Sequence, residues 1–167
     1  MKNFAQSSHA QRGVFLLEAL IGILVFSLGV LAMVALGTAA ISAQSDAQYR
    51  TEAANLANEI ASGVALRADR SSQPTAADTL AALNASLLPF SHNAGGATCN
   101  FNNAASSEAL VTDWADKVIA ALPGVSARGL QVDTTTLAAF SGVQVTVCWQ
   151  SSTDRAVRSY SLVTYVN

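Results

Sequence analysis

A chain of 167 residues has room for one compact domain and an extension, not for two ordinary domains. It is apolar for a soluble protein of this size, with 51% hydrophobic and 12% charged residues. The net charge is −2 and the basic residues after position 13 are scattered. The clustered Lys and Arg that displace counterions are missing, so no nucleic-acid partner is expected.

Residues 1–13 (MKNFAQSSHAQRG) are polar, carry Lys2 and Arg12, and hold no apolar core. An abrupt apolar run follows, and from Val14 to Ile41 the only charged side chain is Glu18. About twenty such residues at ~1.5 Å each span the ~30 Å hydrocarbon core of a bilayer. Positive charge before the span, and none soon after it, holds the amino end in the cytoplasm and sends the carboxyl end across. A secretory signal cut near Ala39-Ala40 or Ser42-Ala43 would have a shorter apolar region and no acid. An ordinary single-pass anchor fits the length but leaves Glu18 unexplained, at a cost on the order of 1–3 kcal/mol.

Gly13 followed by Val14-Phe15-Leu16-Leu17-Glu18 resembles the class III signal of type IV pilins and pseudopilins. The resemblance implies a leader, residues 1–13, removed by a prepilin peptidase between Gly13 and Val14. Val14 then becomes an N-methylated terminus and Glu18 the assembly carboxylate at the fifth mature position. The family's usual first mature residue is Phe, so Val14 is a departure. The physical logic stands beside the name. Cleavage creates an ammonium one helical turn from a carboxylate, in a medium where an unpaired charge is expensive and a pair is tolerable. The partner is either the chain's own amine at i, i+4, or the amine of a neighbouring subunit, as the family implies.

The helix is expected to continue beyond the membrane half, residues 14–41, into an amphipathic half, residues 42–70. Tyr49, Ala53, Leu56, Ala57, Ile60 and Val64 share one face, while Glu52, Asn55, Glu59 and Ser62 line another. No proline precedes Pro74, and Ser71-Ser72-Gln73-Pro74 is a stop, which gives one helix of about 80 Å. Gly22 and Gly29, near Ala32, are open to two readings: close helix approach or plain apolar filling.

Residues 71–167 read as a globular α+β head. Thr75–Leu88 suits a short helix with Leu80, Leu83 and Leu87 on one side, ended by Pro89. Ser91–Ser107 reads as a loop pinned by Cys99. Ser106 or Ser107 is the expected cap of a helix reaching Leu122, with Leu110, Val111, Trp114 and Val118 facing inward and Pro123-Gly124 closing it. Gly129–Asp133 is a short strand. Val143, Val145, Val147 and Trp149 then alternate with polar residues, as do Tyr160, Leu162 and Val166, around a turn at Ser151–Asp154. A small antiparallel sheet of three or four strands, laid on the carboxyl half of the helix, is the simplest arrangement.

With no CxxC and only His9 and His92, a zinc site lacks ligands. In an exported head Cys99 and Cys148 are expected to form a disulfide; two buried thiols are the alternative. Asp113, Asp116 and Lys117 suit the wet face of a helix, His92 an exposed loop position, and Trp149 a core position. No catalytic set, metal or cofactor emerges, and no enzyme activity is expected.

Further stretches narrow the resemblance. Asp46-Ala47-Gln48-Tyr49-Arg50 with Ala53-Ala54-Asn55-Leu56-Ala57-Asn58-Glu59, and later Trp114-Ala115-Asp116-Lys117 and Leu122-Pro123-Gly124, are similar to PilV-type minor pilins. That likeness implies the type IV pilin fold and a low-copy subunit that helps start pilus assembly, so twitching motility and adhesion would depend on it. The implied partners are prepilin peptidase, other minor pilins, the major pilin, the inner-membrane assembly platform, a tip adhesin, and membrane lipid before assembly. The implied location is the bacterial inner membrane, single-pass with the head in the periplasm, and then the surface pilus. A minor pseudopilin of a type II secretion system shares the amino-terminal features and is the alternative. A membrane-tethered adhesin is a third class.

Overall fold

The computed structural model describes residues 11–134, 141–152 and 154–166. The elements in chain order are helix α1 (Gln11–Arg67), helix α2 (Ala76–Leu87), strands β1 (Gly95–Ala97) and β2 (Asn100–Asn102), helix α3 (Ala109–Ala121), and strands β3 (Leu130–Asp133), β4 (Gly142–Trp149) and β5 (Arg158–Tyr165). The chain divides into two compact units, Met1–Asp46 and Ala47–Asn167, with α1 running through the boundary.

In the first unit, α1 is one of the least covered helices a chain can present. Every large apolar side chain from Val14 to Ile41 is exposed, from 44% at Val30 to 74% at Met33. Among the described residues this is one helix long and apolar enough to cross a membrane, near the amino terminus. Two of the hydroxyls in the apolar run return to the helix's own carbonyls. Ser27 donates to the Ile23 carbonyl at 2.7 Å and Thr38 to the Ala35 carbonyl at 2.9 Å, which suits a surface facing hydrocarbon.

The second unit is an α+β domain built on the rest of α1. The apolar stripe read from the sequence is its core face: Ala53, Leu56, Ala57, Ile60 and Val64 are all buried, Tyr49 is partly buried against the core, and Ala61 joins the buried face. Three alanines on that face let neighbouring elements come close to the helix backbone. Trp114 of α3 does so, donating its indole N–H to the Leu56 carbonyl at 2.9 Å in a buried setting. A buried indole N–H is stabilised by such a partner, and the bond fixes the height of α3 along α1. On the surface, Lys117 pairs with Glu59, both about half exposed, which adds little energy.

Helix α1 ends where the serines accumulate. Asp69 accepts the Ser71 amide at 2.9 Å, and that bond holds its carboxyl below the ordinary carboxylate range. The Asp69 amide in turn donates to Ser86 Oγ of α2 at 2.9 Å. Thr75 caps α2 by accepting the Asp78 amide, while its hydroxyl donates to the Asp78 carboxylate at 2.7 Å. Leu83 and Leu87 are buried as expected, whereas Leu80 is 38% exposed. Pro89 follows in a short 3-10 turn, Leu88–Phe90.

Strands β3, β4 and β5 form an antiparallel sheet in that order. Its inner face carries Leu130, Val132, Val143, Val145, Val147, Trp149 and Val166, all buried with the α1 stripe in one core. The alternation seen in the sequence therefore gives the correct face for each strand. The turn at Ser151–Asp154 closes through the Asp154 amide on the Ser151 carbonyl. Gly124 is needed where α3 hands over to the sheet. Its φ is +63°, and a Cβ there would meet the Gln150 carbonyl oxygen at 2.4 Å.

Two expectations about the segment before α3 fail. The stretch Ser91–Ser107 is not simply a loop: β1 and β2 pair within it as a hairpin, Gly95 opposite Asn102 and Ala97 opposite Asn100. Neither Ser106 nor Ser107 caps α3. The cap position is Glu108, and Ser106 instead accepts the Glu108 amide and donates to the Pro89 carbonyl at 2.6 Å.

Cys99, at the hairpin turn, is disulfide-bonded to Cys148 on β4 across 49 residues of sequence, with Cα atoms 5.8 Å apart. A closed loop of that length restricts the unfolded chain by about 4 kcal/mol in the entropy account. Replacing both cysteines by serine should lower the unfolding free energy by up to that about 4 kcal/mol, followed by the fluorescence of Trp114 and Trp149 during denaturation of the full chain in detergent. An unchanged midpoint would contradict the disulfide's stabilising role.

Candidate functional site

The first candidate site is the beginning of the exposed apolar helix. Val14 and Glu18 are both exposed and stand four residues apart on α1, so they lie on one face, one turn from each other. A helical backbone gives an ionised carboxylate no donor in its interior, because those amides already bond the preceding turn. Ser27 and Thr38 solve this by returning their hydroxyls to carbonyls, a route closed to an acceptor such as Glu18. An ionised carboxylate at this position would be matched only by a cation from outside the regular helix. A new amine at Val14 or on another subunit would supply one.

Residues 1–10 of the expected leader lie outside the described residues; Gln11, Arg12 and Gly13 belong to α1. At Gly22 and Gly29 an added Cβ would meet nothing within 4 Å, so this chain alone places no packing demand on them.

Among the described residues, no group of three or more His, Cys, Asp or Glu comes together in a way that could hold a metal. Asp113 and Asp116 are exposed on α3, as the helix periodicity predicts. Trp149 is a core residue, 1% exposed.

His92 departs from the sequence reading. It is 8% exposed rather than a solvated loop residue. Its backbone exchanges two hydrogen bonds with Val132 of β3, at 2.8 and 2.9 Å, and this draws the ring inward. Nδ1 then accepts the buried Ser106 amide at 3.3 Å, and burial holds the imidazole pKa below its ordinary 6.5. Only the neutral ring accepts that bond, so His92 helps to fix the start of the segment leading into α3.

Comparison of the chain with protein-family models, curated proteins and solved structures gives no match. The functional reading therefore stands on the residues and their geometry.

The lowered His92 pKa gives a stability contribution that is present above pH 6.5 and lost as the pH falls from there through the folded-state pKa. Between pH 7.5 and about 5, wild type should lose more stability than a His92→Gln variant, whose amide oxygen can still accept from Ser106. Equal losses in parallel urea titrations would show that His92 carries no such linkage in the folded head.

Proposed function

We propose that this chain is the precursor of a type IV pilin-like subunit and acts as a minor pilin of a type IV pilus. One observation carries the reading. Glu18 is the only charge between Val14 and Ile41 on an exposed apolar helix, and it stands five residues after Gly13. The long helix backed by a small antiparallel sheet is compatible with a type IV pilin layout.

In the proposed cycle the span holds the subunit in the inner membrane with its head in the periplasm. Prepilin peptidase hydrolyses the Gly13–Val14 bond; water is consumed, Gly13 leaves as a carboxylate, and Val14 becomes a terminal ammonium that is then N-methylated. The new terminus carries the positive end of the helix dipole together with a formal charge, and Glu18 is the nearest anion. Within one chain the two charges partly neutralise each other. Between chains, only a subunit at the right axial height lets Glu18 meet a neighbour's amine, so the ion pair sets the register of assembly. Exposed apolar helices then exchange lipid for sister helices. Small residues such as Gly22 and Gly29 ease that packing.

The span lacks the helix-breaking proline that several major pilins carry in this region, which leans toward a minor subunit. Its partners would be other minor pilins, the major pilin, the assembly platform and a tip adhesin.

Glu18→Ala should cut incorporation into pili by at least about tenfold while leaving membrane insertion and the Cys99–Cys148 bond intact. Leaving a desolvated ammonium without its counter-charge costs on the order of 3–5 kcal/mol. Normal incorporation of that variant would refute the assembly role. A deletion strain should lose surface pili and twitching; retained pili with blocked exoprotein export would assign the subunit to a type II secretion system.

A further inference from the structure

The outer face of the head's sheet is polar where the hairpin covers it, while its exposed β5 edge carries Val163 and Tyr165 beside two serines. Across the strands its side chains stand in rows: Gln131 opposite Thr146 opposite Ser161, with Asp133 opposite Gln144 opposite Val163 on one side and Cys148 opposite Ser159 on the other. The β1–β2 hairpin covers the β3 side of this face. Its Phe101 is 5% exposed, and its Cys99 is bonded to Cys148. Under that cover Gln131 is 6%, Asp133 4% and Thr146 8% exposed, whereas Ser159 and Ser161 on β5 are open to solvent. A merely solvated sheet face would not be roofed, and a merely packed one would be apolar.

An open groove of about 640 Å³ lies between hairpin and sheet, lined by these polar side chains and by the hairpin from Gly96 to Cys99. The roof is held at a conformational cost. Thr98 and Cys99, neither of them glycine, sit at φ +55° and +63° in the hairpin turn, a region that β-branched residues seldom occupy. The disulfide anchors that turn to β4.

The hydrogen-bond inventory identifies what the groove can hold. Gln131 spends an amide hydrogen on the Asn93 carbonyl at 3.3 Å, so it belongs to the frame. The Thr146 and Ser161 hydroxyls lie 3.2 Å apart and share one hydrogen between them. Gln144 reaches Ser161 Oγ at 3.5 Å, the outer limit of such a bond. The second hydroxyl hydrogen and the Gln144 carbonyl are not used in these contacts, so the open side presents a donor and an acceptor side by side. Among the described lining residues none is cationic, which disfavours an anion, and the one carboxylate, Asp133, is the most deeply buried group. An extended peptide would recognise exposed strand backbone, whereas this floor is made of side chains.

We infer that this groove is a binding site for a neutral saccharide of one or two rings. A sugar hydroxyl both donates and accepts at a single atom, which is what Gln144, Thr146 and Ser161 together offer. The volume lies within the usual range for small-ligand sites, about 300–1,000 Å³. The inference stands independently of the filament reading, because it uses only residues of the head.

The test uses the full chain in dodecylphosphocholine micelles, whose headgroup carries no sugar. Glucose, galactose, mannose and N-acetylglucosamine, with lactose and chitobiose as disaccharides, are titrated at millimolar concentrations while side-chain and backbone amides are followed by NMR. At least one sugar should shift the Gln144 side-chain amide and the Ser161 backbone amide saturably. Gln144→Ala and Ser161→Ala should each weaken that binding about tenfold without moving the thermal midpoint. The inference is overturned if no sugar of the panel shifts these groups, if the shifts survive both substitutions, or if inorganic phosphate or a short uncharged peptide binds there more tightly.

Discussion

The structure depends on one electrostatic constraint: a carboxylate fixed near the start of an apolar helix that water cannot cover favourably. From Val14 to Ile41 the large side chains are exposed, far beyond the few hundred Å² of apolar surface that a soluble monomer tolerates. Lipid satisfies that surface but not Glu18, and pairing satisfies Glu18 at little expense only if the cation is desolvated with it. On the proposed reading, the membrane and the filament are alternative solvents for the same helix. The charge pair that is tolerable in both would set the register in the second.

The other half of α1 answers a different need. Its alanine-rich stripe forms a flat, close-packing bed for the head, and the Trp114 indole bond to the Leu56 carbonyl locks α3 to it at one height. The sheet adds a second layer through alternating valines, and the disulfide pins the small hairpin to the outside of that sheet. One continuous helix thus carries two surfaces of opposite requirement. The composition change near residue 46 is where the first gives way to the second.

Much of this was legible in the residues because it rests on periodicity. The α1 stripe, the inward valines of β4, the core position of Trp149 and the Thr75–Leu88 helix all follow from spacings of 3.6 or 2. What escaped depends on contacts distant in sequence. Strands β1 and β2 are three residues each, too short for alternation to register, and their Asn, Gly and Ala content has the composition of a loop. His92 looked solvated because nothing nearby in sequence betrays its pairing with Val132. Ser106 had the right type for a helix cap, but α3 starts two residues later than that would need, and its Oγ accepts the amide of Glu108, the cap position itself. The polar groove needed the register of three strands and the disulfide together. Gly13, Val14 and Glu18 are the reverse case, since what sets them apart is their order along the chain.

The most direct measurement of the central claim is the intact mass and terminal sequence of the mature protein taken from membranes or pili. The account requires a chain that begins at Val14 and carries a methyl group on its terminal nitrogen. A product that retains residues 1–13 would leave the carboxylate without its amine, and one cut near Ala39 or Ser42 would have lost Glu18 altogether; either would contradict the account.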